Sequence, residues 1–476
     1  MSFSSKATIR LSFLDARQAD RIHEASLDIL WRTGATVHNP EALSLLARAG
    51  AAVDGDRVRF PGHLVAQALE TAPASIAIYD RQARVVMSLE DGRTYFGTGS
   101  DCPSVIDPET GQHRESAKSD VARMTRLCDG LENIDFCMSM GIASDASRIT
   151  SYVHQFDAMV RNTGKPLIFT ADGADDMRDI LDLALAVLEG DREELKAHPR
   201  YILYDEPISP LHHSPNGLAK MIFAAEHGIP MIYIASPMMG ASAPVTMAGC
   251  IAQANAEALS GLVIHQLKSP GAPFICGADA SILDMRTLIF SYGAPELQIM
   301  DIAFADLARK YRLPFFCIAG ATDAKVLDAQ AGAEMTTSLL ISALNGCNLI
   351  HDVGYLESGL CSSEASVVLG DELIGMVKRY LGALEIREET LALDVIDRVG
   401  PTGDFLSDDH TLENYRREVW YPTVFDRRRF EAWFSGGGEQ VNQPLQRKAR
   451  SILAHHQCPA LSARQAKTMD AILARR

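Results

Sequence analysis

Residues 315–332 read FFCIAGATDAKVLDAQAG. The first four are apolar on both faces, the mark of a strand covered on both sides, as in a parallel sheet. Small residues follow, then Thr322, Asp323 and Lys325. Asp328 stands where a helix N-cap belongs, ahead of the helical AQAGAEM. A buried strand, a polar loop at its carboxyl end and a helix make one βα unit. In α/β proteins the functional groups collect at that carboxyl end.

The same unit recurs along the chain. Strand candidates are TYFGTG (94–99), IDFCMSMG (134–141), PLIFTA (166–171), RYILYDEP (200–207), PMIYIAS (230–236), PFICGAD (273–279), PFFCIAG (314–320) and NLIHDVG (348–354). Amphipathic helices separate most of them, among them DDMRDILDLALAVLEG (175–190) and ELQIMDIAFADLARKY (296–311). Eight units predict an α/β fold with a TIM-type (β/α)8 barrel over residues 91–384. The rival is an open doubly wound sheet. No GxGxxG follows a strand, so a dinucleotide site has no support. Residues 1–90 predict a mainly helical N-terminal cap, with a hairpin turning on Asp54-Gly55. Residues 385–476 predict a C-terminal helical extension. Its last forty residues read as two amphipathic helices suited to a neighbouring subunit, so a homo-oligomer is expected.

Composition removes several function classes. The 61 acidic residues outnumber 45 basic ones, for a formal charge of -16, which argues against nucleic acid as the main partner. The start lacks a leader's apolar core, and no apolar run reaches the roughly 18 residues of a membrane span. Nine scattered cysteines without a CxxC pair read as reduced thiols in a cytoplasmic protein. No compact zinc signature links His212, His213, His351 and Cys317, so no metal is expected.

The predicted strand ends carry a pattern. Aromatic residues recur at four or five of them and carboxylates at nearly all. Together these suit an organic cation, held by ring quadrupoles and opposite charge. Taken singly, each aromatic also fits the core and each acid also fits a helix cap. Lys325 could instead serve a Schiff-base lyase, which requires a desolvated lysine. Pro244 in GASAPVTMAG could open a helix whose free N–H groups take a carboxylate.

Several long stretches then add up: FGTGSDCPSVIDPETGQ, ISPLHHSPNGLAKMIFAAEHGIPM, APVTMAGCIAQANAEALSG, GATDAKVLDAQAGAEM, NLIHDVGYLESGL and DRVGPTGDFLSDDHTLENYRREVW. With these the chain resembles the trimethylamine methyltransferase family, from about residue 15 to the C-terminal helices. The resemblance implies a TIM-type barrel that moves a methyl group from a methylated amine to a corrinoid (cobalamin) carried by a partner protein, with none bound tightly in this chain. The chain has no nonstandard residue in place of the pyrrolysine of archaeal members. It is thus similar to the branch that includes glycine betaine:corrinoid methyltransferases, and a quaternary amine is the expected substrate. Catalytic candidates are Asp323, His351 and Glu206. Substrate-binding candidates are Tyr95, Phe169, Tyr204, Tyr233 and Tyr355 as a cage, with Lys325 and Asp279. The competing readings are the Lys325 lyase and a betaine-binding protein without turnover.

Overall fold

A computed structural model describes residues 10–90, 92–382 and 384–475. Residues 1–9, read above for a leader, lie outside the described residues, as do Asp91, at the expected start of the barrel, Ala383 and Arg476.

All eight strand candidates take part in one closed barrel. The strands are β1 (Tyr95–Phe96), β2 (residues 136–137), β3 (Leu167–Phe169), β4 (Tyr201–Asp205), β5 (Met231–Ala235), β6 (Phe274–Ala278), β7 (Phe315–Ile318) and β8 (Leu349–His351). Seven form a parallel sheet in the order β1-β8-β7-β6-β5-β4-β3. β2 closes the circle by single parallel bridges, Gly97 to Phe136 on one side and Cys137 to Leu167 on the other. Closure depends on Gly97, because a Cβ there would lie 2.3 Å from the Phe136 ring. A long helix follows every strand, from Lys118–Asp129 after β1 to Glu364–Leu381 after β8.

The barrel interior is packed, not open. Ile168, Ile202, Ile232, Ile275, Phe316 and Leu349 meet inside it. The antiparallel hairpin Ile76–Tyr79/Val85–Leu89 plugs the amino-terminal end with Ile78, Met87 and Leu89. This hairpin lies within the region expected to be a helical cap, yet it forms the barrel floor. Three helices and a small sheet precede it. The sheet's turn sits on Gly55-Asp56, one residue later than expected, because Asp54 pairs with Arg57.

The 22-residue helix Met247–Lys268 has an 18-residue window apolar enough, by length and composition alone, to cross a membrane, although Gln253, Asn255 and Glu257 interrupt any continuous apolar run. Burial explains its composition: 83% of that window lies inside the protein. The barrel covers one side, and the helices Ala16–Arg32, Pro40–Arg48 and Gly62–Thr71 pack on the other.

The last two helices do not await a neighbour. Asn442–His455 packs on Lys118–Asp129 and Glu364–Leu381, and Ala463–Leu473 packs on Ser151–Asn162 and Ala174–Val187. Leu445 and Met469 are fully buried there, each stabilising the tail by about 1.5–3 kcal/mol. His456 Nε2 meets Asp129 Oδ2 at 2.7 Å, and Lys448 Nζ meets Asp371 Oδ2 at 3.1 Å.

Candidate active site

The centre of the barrel mouth is a buried clamp. His351 ends β8, and its Nδ1 lies 2.7 Å from Asp352 Oδ1. Its Nε2 lies 3.4 Å from Oδ2 of Asp279, just past β6. The imidazole stacks on Phe316 of β7, with ring centroids 4.0 Å apart. Burial opposes a charge on His351, but the two carboxylates outweigh it and push its pKa up to about 9. Burial pushes Asp279 up to about 6, against the pull of His351. At neutral pH the trio therefore holds a protonated imidazole between two carboxyl groups. Asp352 adopts φ +69°, a strained left-handed conformation of the kind that gathers at functional sites. Gly99 makes room for it: a Cβ there would lie 2.0 Å from Asp352 Oδ1.

Above the clamp stand Tyr204, from β4, and Tyr292, from the loop after β6. Both feel the charges of Glu206, Asp279 and Asp352, and burial together with those anions raises both phenols well above their ordinary pKa. Glu206 follows β4; water reaches its carboxylate while protein crowds around it. That crowding pushes its pKa up to about 7, against a 3.1 Å hydrogen bond donated by Ser236. Asp101, beyond β1, forms a second acidic point. Burial pushes it up to about 6, against the opposing pull of Ser100, Thr170 and Gln155 beside it. Lys220 lies nearby, already held by Asp205 at 2.7 Å and the Ala171 carbonyl at 2.9 Å. The mouth is thus anionic and aromatic, and its buried lysine is neutralised.

The loop after β7 has a different role from the one its composition suggested. Asp323 does not face an open cavity with a free carboxylate. Its Oδ1 accepts the Tyr292 N–H at 2.8 Å and the Ser358 hydroxyl at 2.7 Å, and its Oδ2 accepts the Ser291 hydroxyl. It ties the loops after β6 and β8 together and holds Tyr292 in place. Thr322 is buried and donates to Glu334 at 2.5 Å. Asp328 caps Ala329–Asn345, accepting from Gln330 and Ala331 N–H. Lys325 is exposed and donates to the Asp323 carbonyl at 2.7 Å. It lacks the desolvation a Schiff-base lysine needs. Pro244 lies in a loop, since its helix begins at Met247.

Among the five cage candidates, Tyr204 alone projects directly over the clamp, 6.3 Å from His351 between ring centroids. Tyr355 stands behind Tyr292, edge-on at 6.3 Å, and donates its hydroxyl to the Ser100 carbonyl. Tyr95 points to the floor, where its oxygen accepts the Ser88 N–H at 2.9 Å. Phe169 and Tyr233 face outward, because Ile168, Ile232 and Ile234 occupy the inward positions beside them. Phe169 packs on Phe156, and Tyr233 on His213 and Gly261. Tyr292 and Lys220 were not singled out from the sequence. Asp101 and Asp352 were visible there as strand-end acids. Two trios of ligand-type side chains also form, His113–Glu357–Cys361 on the rim and Asp129–His456–Cys458 beneath the tail; neither includes the clamp.

Comparison with known proteins agrees with this architecture. The model of the trimethylamine methyltransferase family, MTTB, matches residues 3–476. Trimethylamine methyltransferase MttB of Desulfitobacterium hafniense is 32% identical over 454 residues, 95% of this chain and 91% of that protein. A glycine betaine methyltransferase of the same species is 29% identical, over 98% of this chain and 97% of that protein. Among solved structures, the monomethylamine methyltransferase MtmB of Methanosarcina barkeri superposes with a TM-score of 0.52 at 10% identity, covering 94% of this chain and 88% of that one, a likeness of fold. The barrel built from eight sequence units is therefore that of a member of the trimethylamine methyltransferase family.

Proposed function

We propose that this chain moves a methyl group from a quaternary methylated amine, of the glycine betaine type, to the cob(I)alamin of a separate corrinoid protein. The observation that carries this reading is the convergence of Tyr204, Tyr292, Glu206, Asp279 and Asp352 on one mouth. Aromatic faces attract an ammonium through their quadrupoles, and the carboxylates supply net negative charge in a partly desolvated site. In the reaction one C–N bond breaks, its electron pair stays on nitrogen as a neutral tertiary amine leaves, and the methyl carbon bonds to reduced cobalt. Such a donor carries its leaving group ready made, so the protein's task is to orient the methyl group towards the open mouth.

The chain's residues divide that task. Glu206 and the clamp hold the cation, with Tyr204 and Tyr292 over its face, and Asp323 fixes Tyr292. No residue here is assigned to bind the corrinoid tightly. An acceptor carried on another protein is supported by the rim, where Ile149, Ile208, Val245, Met285, Leu288 and Leu360 are exposed on loops that follow the strands. Exposed apolar side chains clustered around one opening mark a contact surface. The nine free cysteines fit a reducing cytoplasm, where a strongly reduced cobalt is also at home.

The test is a ligand screen by thermal shift with glycine betaine, proline betaine, carnitine, choline, trimethylamine and uncharged analogues, followed by incubation with cob(I)alamin. Stabilisation by a quaternary amine, with methylation of the cobalt seen in its absorbance, is the expected result. Stabilisation by uncharged analogues as strong as that by their cationic counterparts would overturn the cation site.

A further inference from the structure

Of the two trios of ligand-type side chains, the one on the rim has the chemistry of a metal site. His113 comes from the strand His113–Glu115, Glu357 from the turn that follows β8, and Cys361 from the strand Cys361–Ser362. Their donor atoms, an imidazole nitrogen, a carboxylate oxygen and a sulfur, all lie within 4.8 Å of one another. His113 Nε2 is 3.3 Å from Glu357 Oε2. Ligands on a tetrahedral zinc stand roughly 3.3–3.6 Å apart, given bond lengths of about 2.0–2.3 Å, so small side-chain rotations close the set. The three span residues 113 to 361, and no compact signature announces them.

The surroundings separate the two trios. Beneath the tail, the Asp129 carboxylate is already occupied: its Oδ1 accepts from the Thr163 hydroxyl and the Gly164 N–H, and its Oδ2 meets His456. Arg126 and Arg81 lie near Cys458 there, and two guanidinium charges repel a cation. On the rim, Glu357 and His113 have each other and no further side-chain hydrogen bond among the described residues. The arginines nearest in sequence are matched elsewhere, Arg114 by Asp107 and Asp120 and Arg123 by Glu364. Cys361 is 1% exposed. Burial and the Glu357 charge push its thiol up to about 12, so a metal binds it by displacing a proton. Glu357 and Ser358 are consecutive left-handed residues, with φ +52° and +54°, a strain that gathers at binding sites. We propose that His113, Glu357 and Cys361 bind one zinc ion, with water in the fourth position. Nitrogen, oxygen and thiolate sulfur together suit zinc better than calcium or magnesium, which take oxygen ligands. The ion ties the hairpin after β1 to the turn after β8. That turn carries Ser358, whose hydroxyl helps Asp323 to fix Tyr292.

Titration of the full chain with cobalt(II), without a purification tag or a corrinoid, tests this by absorbance. One equivalent should bind and give a thiolate-to-cobalt charge-transfer band, and zinc should bleach it by taking the same site more tightly. Glu357→Gln and His113→Ala change surface side chains and should each raise the dissociation constant roughly 100-fold, since even an outer-shell partner accounts for about 10–100-fold. These two variants touch no core residue, so they decide the matter whether or not a change at the buried cysteine disturbs folding. Cys361→Ser should lose the band altogether and keep the parent's circular dichroism spectrum. Cys458→Ser, in the other trio, should keep both band and affinity. No charge-transfer band in the wild type, a band that survives Cys361→Ser, or one lost in Cys458→Ser would overturn the site. So would wild-type affinity in both surface variants, which would leave His113 and Glu357 as an ion pair only.

Discussion

The two ends of the barrel are made from the same eight strands and are chemically opposite. At the floor, isoleucines and the hairpin fill the interior, and Tyr95 is satisfied by one backbone N–H. At the mouth, a few residues further along the same strands, Glu206, Asp279, His351, Asp352 and Asp101 crowd together, with His351 and Asp279 almost wholly buried. Apolar burial is what stabilises a fold. Gathering like charges under partial burial works against it. The floor is thus where the barrel gains its stability, and the mouth is where it gives some up for a site that attracts a cation.

The largest expected effect comes from removing the cation at the centre of the mouth. His351→Asn leaves Asp279 and Asp352 facing each other and should cost about 3–5 kcal/mol, read as a fall in Tm at pH 7. The sign with pH follows from the raised pKa of His351. Its contribution is fully present below the unfolded value of about 6.5 and is lost as pH rises through about 9. The gap between wild type and variant should therefore close in alkaline buffer. At the floor, Ile232→Ala should cost about 2–4 kcal/mol by leaving a cavity, with the affinity for a quaternary ammonium unchanged. A change in affinity there would break the division between the two ends.

Glu206→Gln sharpens the contrast from the other side. It should weaken quaternary ammonium binding about tenfold at pH 8, where an ionised Glu206 adds charge attraction. Tm should stay level or rise, since functional groups often cost stability. In the wild type the affinity should increase as pH rises through about 7, and calorimetry on the variant should find that limb flattened. The smallest effect belongs to Lys325→Ala, within about 0.5 kcal/mol in stability and with little change in turnover, because that lysine is exposed and bonded to its own loop.

How much of this was legible in the sequence depended on the kind of signal. Each barrel strand is a short apolar run between turn residues, so its existence could be read directly, and so could the acids at its end. The phase of a strand that is apolar on both faces could not. YIL and MIYIA give no polar residue to mark the outer side, which is why Tyr233 and Phe169 were placed at the mouth when they pack against wall helices. Tyr292 was hidden for another reason. It lies fourteen residues beyond Ala278, in a loop without periodicity, and returns to the mouth because Asp323 on a different loop binds its backbone. The acid in the opening stretch was rightly noticed and its task misread, since a carboxylate that binds three neighbours looks, in sequence, like one awaiting a ligand.

The tail helix Asn442–His455 lies between the helices that follow β1 and β8, across the line where the first and last strands of the barrel pair. During synthesis that line stays bare until residues 442–473 have left the ribosome. A nascent chain can pair β8 with β1 once Glu364–Leu381 is made, yet it keeps the pocket of Leu445 exposed to other chains until residues 442–455 emerge. Residues 442–473 are thus the stretch that completes this side of the fold, and yield in the cell should depend on them more than their modest share of the core suggests.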